Sequence, residues 1–174
     1  AFAMTDMFKI HQGGDEIANP PKMFIGAAAN PFADLFELRV RRLAKKADAG
    51  ADFIQTQCIY NLDKFEKWME GVCKRRLHEN LFIMAGITPL KSAGMARYMQ
   101  KKVPGMDVPD ALVQRLAALP KDKQAEEGIT IAVETIERLK TVEGVHGFHI
   151  MAIEWEQRVP EIVRRAGLYP RPTV

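Results

Sequence analysis

Beyond residue 21 the chain alternates between two hydrophobic rhythms. Short apolar runs at 22–28 (KMFIGAA), 52–59 (DFIQTQCI), 81–88 (LFIMAGIT) and 147–153 (GFHIMAI) have the length and content of buried strands. Between them lie stretches with apolar residues at helical spacing. One covers 34–49 with Phe36, Val40, Leu43, Ala44 and Ala47, and another covers 62–76 with Leu62, Phe65, Met69, Val72 and Cys73. Three helices are predicted between the third and fourth runs, at about 92–102, 109–118 and 121–141. The last carries Ala125, Ile129, Ala132, Val133, Ile136 and Leu139 and is ended by Gly144. A final helix is predicted over 159–166. Residues 1–21 mix Met and Phe with the breakers Gly13, Gly14, Asn19, Pro20 and Pro21 and read as a lead-in, while 169–174 form a Pro-containing tail.

Apolar strands alternating with amphipathic helices predict an α/β fold with a parallel sheet, because each parallel strand needs a crossover and both sheet faces become covered. No Gly-x-Gly-x-x-Gly follows any strand, so the turn that brings backbone amides to a dinucleotide pyrophosphate is missing. A (β/α) barrel of the TIM type fits better. Such a barrel has eight strands in about 250 residues, and four βα units are legible here, so residues 22–168 are expected to be half of one.

The 174 residues suit one domain, and 47% hydrophobic with 27% charged residues predicts a folded core. The balance of 25 basic against 22 acidic residues gives +3, with no basic run, which argues against a nucleic-acid partner. No apolar run reaches the roughly 20 residues that span a bilayer, so a membrane role is not expected either. Cys58 and Cys73 are too few for a disulfide framework, and a reducing cytoplasmic setting is the default. His11, His78, His146 and His149 have no thiol or carboxylate at ligand spacing, so a metal site is not expected, and His149 reads as a core residue.

In a parallel barrel the chemistry sits where strands end and βα loops begin. At the first such place, Ala28 and Ala29 are small enough for a flat ligand to approach the backbone, and Asn30 offers an amide; Asn30-Pro31 also reads as an ordinary turn. In the second run, period two sends Gln55 and Gln57 to one face and Thr56 to the other. A polar pair in a core strand needs polar partners, supplied by other core groups or by a ligand. Ser92 after the third strand reads as a helix cap. After the fourth, Glu154 beside Trp155 can hydrogen-bond and stack on a planar heterocycle, or be an exposed acid beside a packed ring. Arg39, Arg41, Arg42, Lys45 and Lys46 form a basic helix face. Its first turn lies on the ligand side, where a phosphate can be held, and Lys46 lies about three turns further.

Six phrases carry a resemblance. FIGAAANPFAD at 24–34, RLAKKADAGADFIQTQCIY at 42–60, AGITPLKSAGMARYM at 85–99, VPGMDVP at 103–109, KQAEEGI at 123–129 and FHIMAIEWE at 148–156 resemble, in order, the C-terminal half of the methylenetetrahydrofolate reductase family in its anaerobic bacterial form. The resemblance implies a flavin-holding TIM barrel that reduces 5,10-methylenetetrahydrofolate to 5-methyltetrahydrofolate. FAD is the implied cofactor with FMN as the alternative, and a reduced nicotinamide or a ferredoxin-linked partner is the electron donor. By the same resemblance Gln57 matches the glutamine that hydrogen-bonds the folate pterin; Glu154, from its place after the fourth strand, is a further substrate candidate. Ala28, Asn30, Lys46 and Gln55 fall to the flavin. The family's activating acid lies outside the phrases matched, and the other half of the barrel is expected from a homo-oligomer or a further chain. The readings set against this one are a non-catalytic folate-binding or assembly half-barrel and a pterin-dependent methyltransferase component.

Overall fold

A computed structural model describes residues 18–19, 21–33 and 35–170; most of the lead-in, with His11, and the end of the tail lie outside them. Strands β1 (Gly26–Ala29), β2 (Phe53–Cys58), β3 (Phe82–Ile87) and β4 (Val145–Ile150) are all parallel and lie side by side in chain order. Helices α1 (Phe36–Asp48) and α2 (Leu62–Lys74) make the first two crossovers. Helices α3 (Ala93–Lys102), α4 (Asp110–Ala117) and α5 (Lys121–Leu139) make the third, and α6 (Val159–Arg165) follows β4. This is the α/β arrangement that the alternation of rhythms predicts.

Local chemistry fixes the helix starts. The Asn61 side chain accepts a hydrogen bond from the Lys64 amide at 3.1 Å to open α2, and Ser92 does the same for Met95 at 3.1 Å to open α3. Two strand boundaries differ from expectation. β1 begins at Gly26 and not at 22, because among the described residues it has a partner on one side only and pairing starts where Ile25 meets Asp52 and Phe53. β4 begins at Val145 and ends at Ile150, because it follows β3, whose last residue Ile87 pairs with Ile150 and accepts from the Met151 amide at 2.7 Å.

Ile54, Ile83, Ala85 and Ile87 on one sheet face pack with Val40, Leu43, Phe65, Trp68, Met69, Val72, Ile129, Ile136 and Leu139 of the helices. Each large side chain buried there contributes about 1.5–3 kcal/mol, so this layer holds sheet and helices together. A second cluster around Tyr60, Leu90, Met99, Leu116 and Ile131 seats α3 and α4. The opposite face is different. Gly26, Ala28, Gln55, Phe82 and His146 are exposed there, and Phe24 (64% exposed) stacks on Phe53 with ring centroids 5.3 Å apart. Among the described residues nothing covers this face, which corrects the expectation of a sheet buried on both sides. It is the face a closed barrel turns inward.

Candidate functional site

The β2 strand alternates as its sequence predicts: Ile54, Thr56 and Cys58 are buried, Gln55 is exposed and Gln57 half-buried. Thr56 is a structural residue. Its hydroxyl oxygen accepts from the Gly86 amide at 2.9 Å and donates to the Gln57 carbonyl at 3.0 Å, spanning the irregularity where the β2–β3 register shifts between Gln55 and Cys58. Gly86 makes that shift sterically feasible, since a Cβ there would lie 2.5 Å from the Thr56 carbonyl oxygen. The consequence is local. The Gln57 side-chain oxygen accepts from the Cys58 amide at 3.1 Å. An amide N–H can only donate, so the oxygen of Gln57 must face it and the side-chain NH₂ group is turned away, with no partner among the described residues.

That NH₂ group belongs to the wall of a cavity of about 450 Å³ at the C-terminal ends of β1 and β2. Ala28, Ala29, Asn30, Gln55 and Gln57 come to it from the strand ends, Arg39, Arg42 and Lys46 from α1, and His149 and Met151 from the end of β4. Residues 39, 42 and 46 are three and four apart, which places them on one face of α1. Lys46, though three turns along the helix, folds back so that its Nζ donates to the Ala28 carbonyl. Arg39 donates from Nε to the Ala33 carbonyl at 3.3 Å, and Asn30 closes its own turn by accepting from the Phe32 amide at 2.9 Å. Among the described residues three cations and no carboxylate line the cavity, which makes its wall electropositive.

Trp68 of α2 also lines the cavity, and its indole Nε1 is buried without a hydrogen-bond partner. A buried N–H left unpaired costs about 1–3 kcal/mol. Cys58 and Tyr60 take no part. Burial pushes the Cys58 thiol up and the Tyr60 phenol well up, the latter with a further push from Cys58. Both hold their protons at neutral pH, and Tyr60 donates to the Thr88 carbonyl at 3.0 Å.

Five sequence-predicted residues, Ala28, Asn30, Lys46, Gln55 and Gln57, therefore share one cavity, and Glu154 stands apart. Because β4 ends at Ile150, Glu154 lies four residues past the strand in a turn with φ of 51°, its carbonyl accepting from Lys91 Nζ at 3.2 Å. Trp155 packs against the core, with the Arg158 guanidinium 5.5 Å from its ring centre. Sequence reasoning missed Trp68, His149 and Met151. His149 pairs in register with Gly86 on the open face and lines the cavity; it is not a core residue.

Comparison with known proteins agrees with this arrangement. The family model described as methylenetetrahydrofolate reductase matches residues 16–167. Methylenetetrahydrofolate reductase 2 of Schizosaccharomyces pombe is 35% identical over 133 residues, 72% of this chain and 20% of the relative. Methylenetetrahydrofolate reductase (NADH) 1 of Arabidopsis thaliana is 27% identical over 172 residues, 94% of this chain and 27% of the relative. The chain thus spans about a fifth to a quarter of these relatives. Among solved structures, an uncharacterized Clostridium thermocellum protein that binds two copies of 5-methyl-5,6,7,8-tetrahydrofolic acid superposes with a TM-score of 0.61 at 16% identity, over 83% of this chain and 52% of that one. A family match over nearly the whole described sheet and its helices, on a TIM-barrel-type α/β framework, makes this chain a member of the methylenetetrahydrofolate reductase family.

Proposed function

We propose that this chain supplies the C-terminal half of a methylenetetrahydrofolate reductase barrel, one that reduces 5,10-methylenetetrahydrofolate to 5-methyltetrahydrofolate with a bound flavin. The observation that carries the reading is the Gln57 amide, whose donors are free at the mouth of a cavity walled on its other side by Arg39, Arg42 and Lys46. Gln57 takes the pterin, whose carbonyl and ring nitrogens accept such donors. The cationic face of α1 takes the phosphate of FAD, or of FMN. Ala28 and Ala29 give a planar ring access to the backbone, and Asn30 and Gln55 supply polar contacts beside it. A lining with three cations and, among the described residues, no carboxylate fits an anionic cofactor. Bound flavin supplies the hydride chemistry, and the protein's own part is to orient the pterin and keep charge complementary around it. Glu154 has no role in this reading.

The open sheet face asks for the remaining strands, from a second copy or another chain, and the Arabidopsis relative's name favours a reduced nicotinamide as electron donor over a ferredoxin-linked one. The test is a titration of the chain, alone and with the N-terminal half of a family barrel, against FAD, FMN and 5-methyltetrahydrofolate. Flavin absorbance and calorimetry are the readouts. Gln57→Ala is expected to weaken folate about tenfold, the loss of one hydrogen bond worth about 1.4 kcal/mol, and to leave flavin affinity within about twofold. Arg42→Ala does the reverse. Flavin that fails to bind even with the other half present refutes the reading.

A further inference from the structure

At the opposite end of the strands from the cavity, three side chains of metal-binding type converge. Cys73 stands in the last turn of α2, His78 in the short 3₁₀ turn Leu77–Glu79 that leads to β3, and Glu143 in the loop between α5 and β4. One ligand atom from each lies within 4.8 Å of the others. His78 Nε2 is 3.6 Å from a Glu143 carboxylate oxygen, and the Cys73 thiol donates to the Glu143 carbonyl at 3.6 Å. Zinc–nitrogen and zinc–oxygen bonds of about 2.0–2.2 Å at tetrahedral angles put those two donors roughly 3.4 Å apart. The pair already has that spacing, and all three ligand atoms lie within 4.8 Å of one another, about 1 Å wider than the sulfur-to-nitrogen or sulfur-to-oxygen spacing around a tetrahedral zinc ion.

Two further observations point the same way. The His78 ring is mostly buried, yet among the described residues neither nitrogen has a hydrogen-bond partner: Nδ1 is buried without one, and Nε2 meets the carboxylate beyond hydrogen-bond length. Gly144 holds the ring against the Glu143 loop. Its φ is 81°, and a Cβ there would lie 2.8 Å from the His78 Cβ, so only glycine allows this approach. A cleft of about 320 Å³ lined by Cys73, Glu143, Glu66 and Glu70 opens the cluster to solvent, with acidic residues at its mouth.

We propose that Cys73, His78 and Glu143 bind one divalent ion of the zinc class, with water as fourth ligand, as a clasp joining the end of α2 to the starts of β3 and β4. Thiolate, imidazole and carboxylate suit zinc and its neighbours and not magnesium or calcium. The ion forms a bond to the Cys73 sulfur, whose proton leaves to solvent, and nothing is oxidised or reduced. The thiol must give up its proton to bind, so affinity rises with pH. The N-terminal rim of a barrel is where stability is built and not catalysis, so the clasp is independent of the flavin and folate reading.

The test is titration of the tag-free, chelator-treated full chain with cobalt(II). One equivalent is expected to give a near-ultraviolet thiolate-to-cobalt band with tetrahedral visible bands, displaced by zinc. Cys73→Ser removes the near-ultraviolet band and Cys58→Ser keeps it. Glu143→Gln, at an exposed position that folding does not need, weakens cobalt by about 10- to 100-fold, at least the effect of losing an outer-shell partner. No near-ultraviolet band at one equivalent, a band that survives Cys73→Ser, or an unchanged affinity in Glu143→Gln overturns the proposal.

Discussion

Replacing Gly86 by alanine puts a methyl group 2.5 Å from the Thr56 carbonyl oxygen and 3.0 Å from that of Gln57. Both obstacles are main chain, tied into β2, and cannot swing aside as a side-chain tip would. The strands must part, which also stretches the 2.9 Å bond from the Gly86 amide to Thr56. Overpacking of this kind costs about 1–3 kcal/mol, and the strained hydrogen bond adds about 0.5–1.5 kcal/mol. Together they predict a loss of about 1.5–4.5 kcal/mol, a fall in melting temperature of roughly 3–18 °C for a chain of this length. Urea unfolding followed by circular dichroism measures it, with the denaturant slope unchanged if only the native state is strained. Because Gln57 follows Thr56 directly, the same variant should lose folate affinity along with stability, whereas Gly71→Ala, on α2 and away from the cavity, should not lose it. A Gly86→Ala chain within 0.5 kcal/mol of wild type (a threshold of ordinary surface change) would refute the claim that this close approach sets the β2–β3 register.

Trp68 offers a paired test. Trp68→Ala is expected to cost about 3–5 kcal/mol, the usual loss for a large buried aromatic. Trp68→Phe should cost at most about 1 kcal/mol, because removing the unpaired N–H offsets much of the lost packing; equal losses in the two variants would show that the indole nitrogen is satisfied. The two thiols should differ in reactivity. In metal-free protein at pH 8, a thiol reagent should modify half-exposed Cys73 before buried Cys58. Glu143→Gln should speed the Cys73 reaction, since removing a negative charge lowers a thiol raised by burial and by that carboxylate. A slower reaction in Glu143→Gln would reverse the sign of the assigned interaction.

Much of this was legible because it depends on short-range periodicity. The opposed faces of Gln55 and Thr56 follow from strand alternation, the helix stripes follow from the 3.6 period, and Ser92 is the cap its position suggests. The end of β4 was not legible, since it is set by β3. The register between them shifts between Ile83 and Met84, and the strand stops where its one neighbour among the described residues does. That shift pairs His149 with Gly86 on the open face and so brings it into the site, while the end of the strand at Ile150 leaves Glu154 four residues beyond it. Trp68 was hidden for another reason: an apolar ring on a buried stripe looks like core until its nitrogen is found without a partner. The Cys73, His78 and Glu143 cluster joins residues far apart in the chain, a juxtaposition that only the tertiary fold creates.

Phe53 donates its amide to the Ile25 carbonyl, so the alternate carbonyls of β1 point to β2 and that of Ala28 points outward. Lys46 sits on that outward oxygen. An ammonium there acts as a stopper on the seam, discouraging casual pairing between chains. A strand that joins the sheet legitimately would claim the same oxygen and release the lysine toward the cavity it already borders. Joining the seam and arming the pocket with the ammonium of Lys46 would then be one event, carried by one side chain.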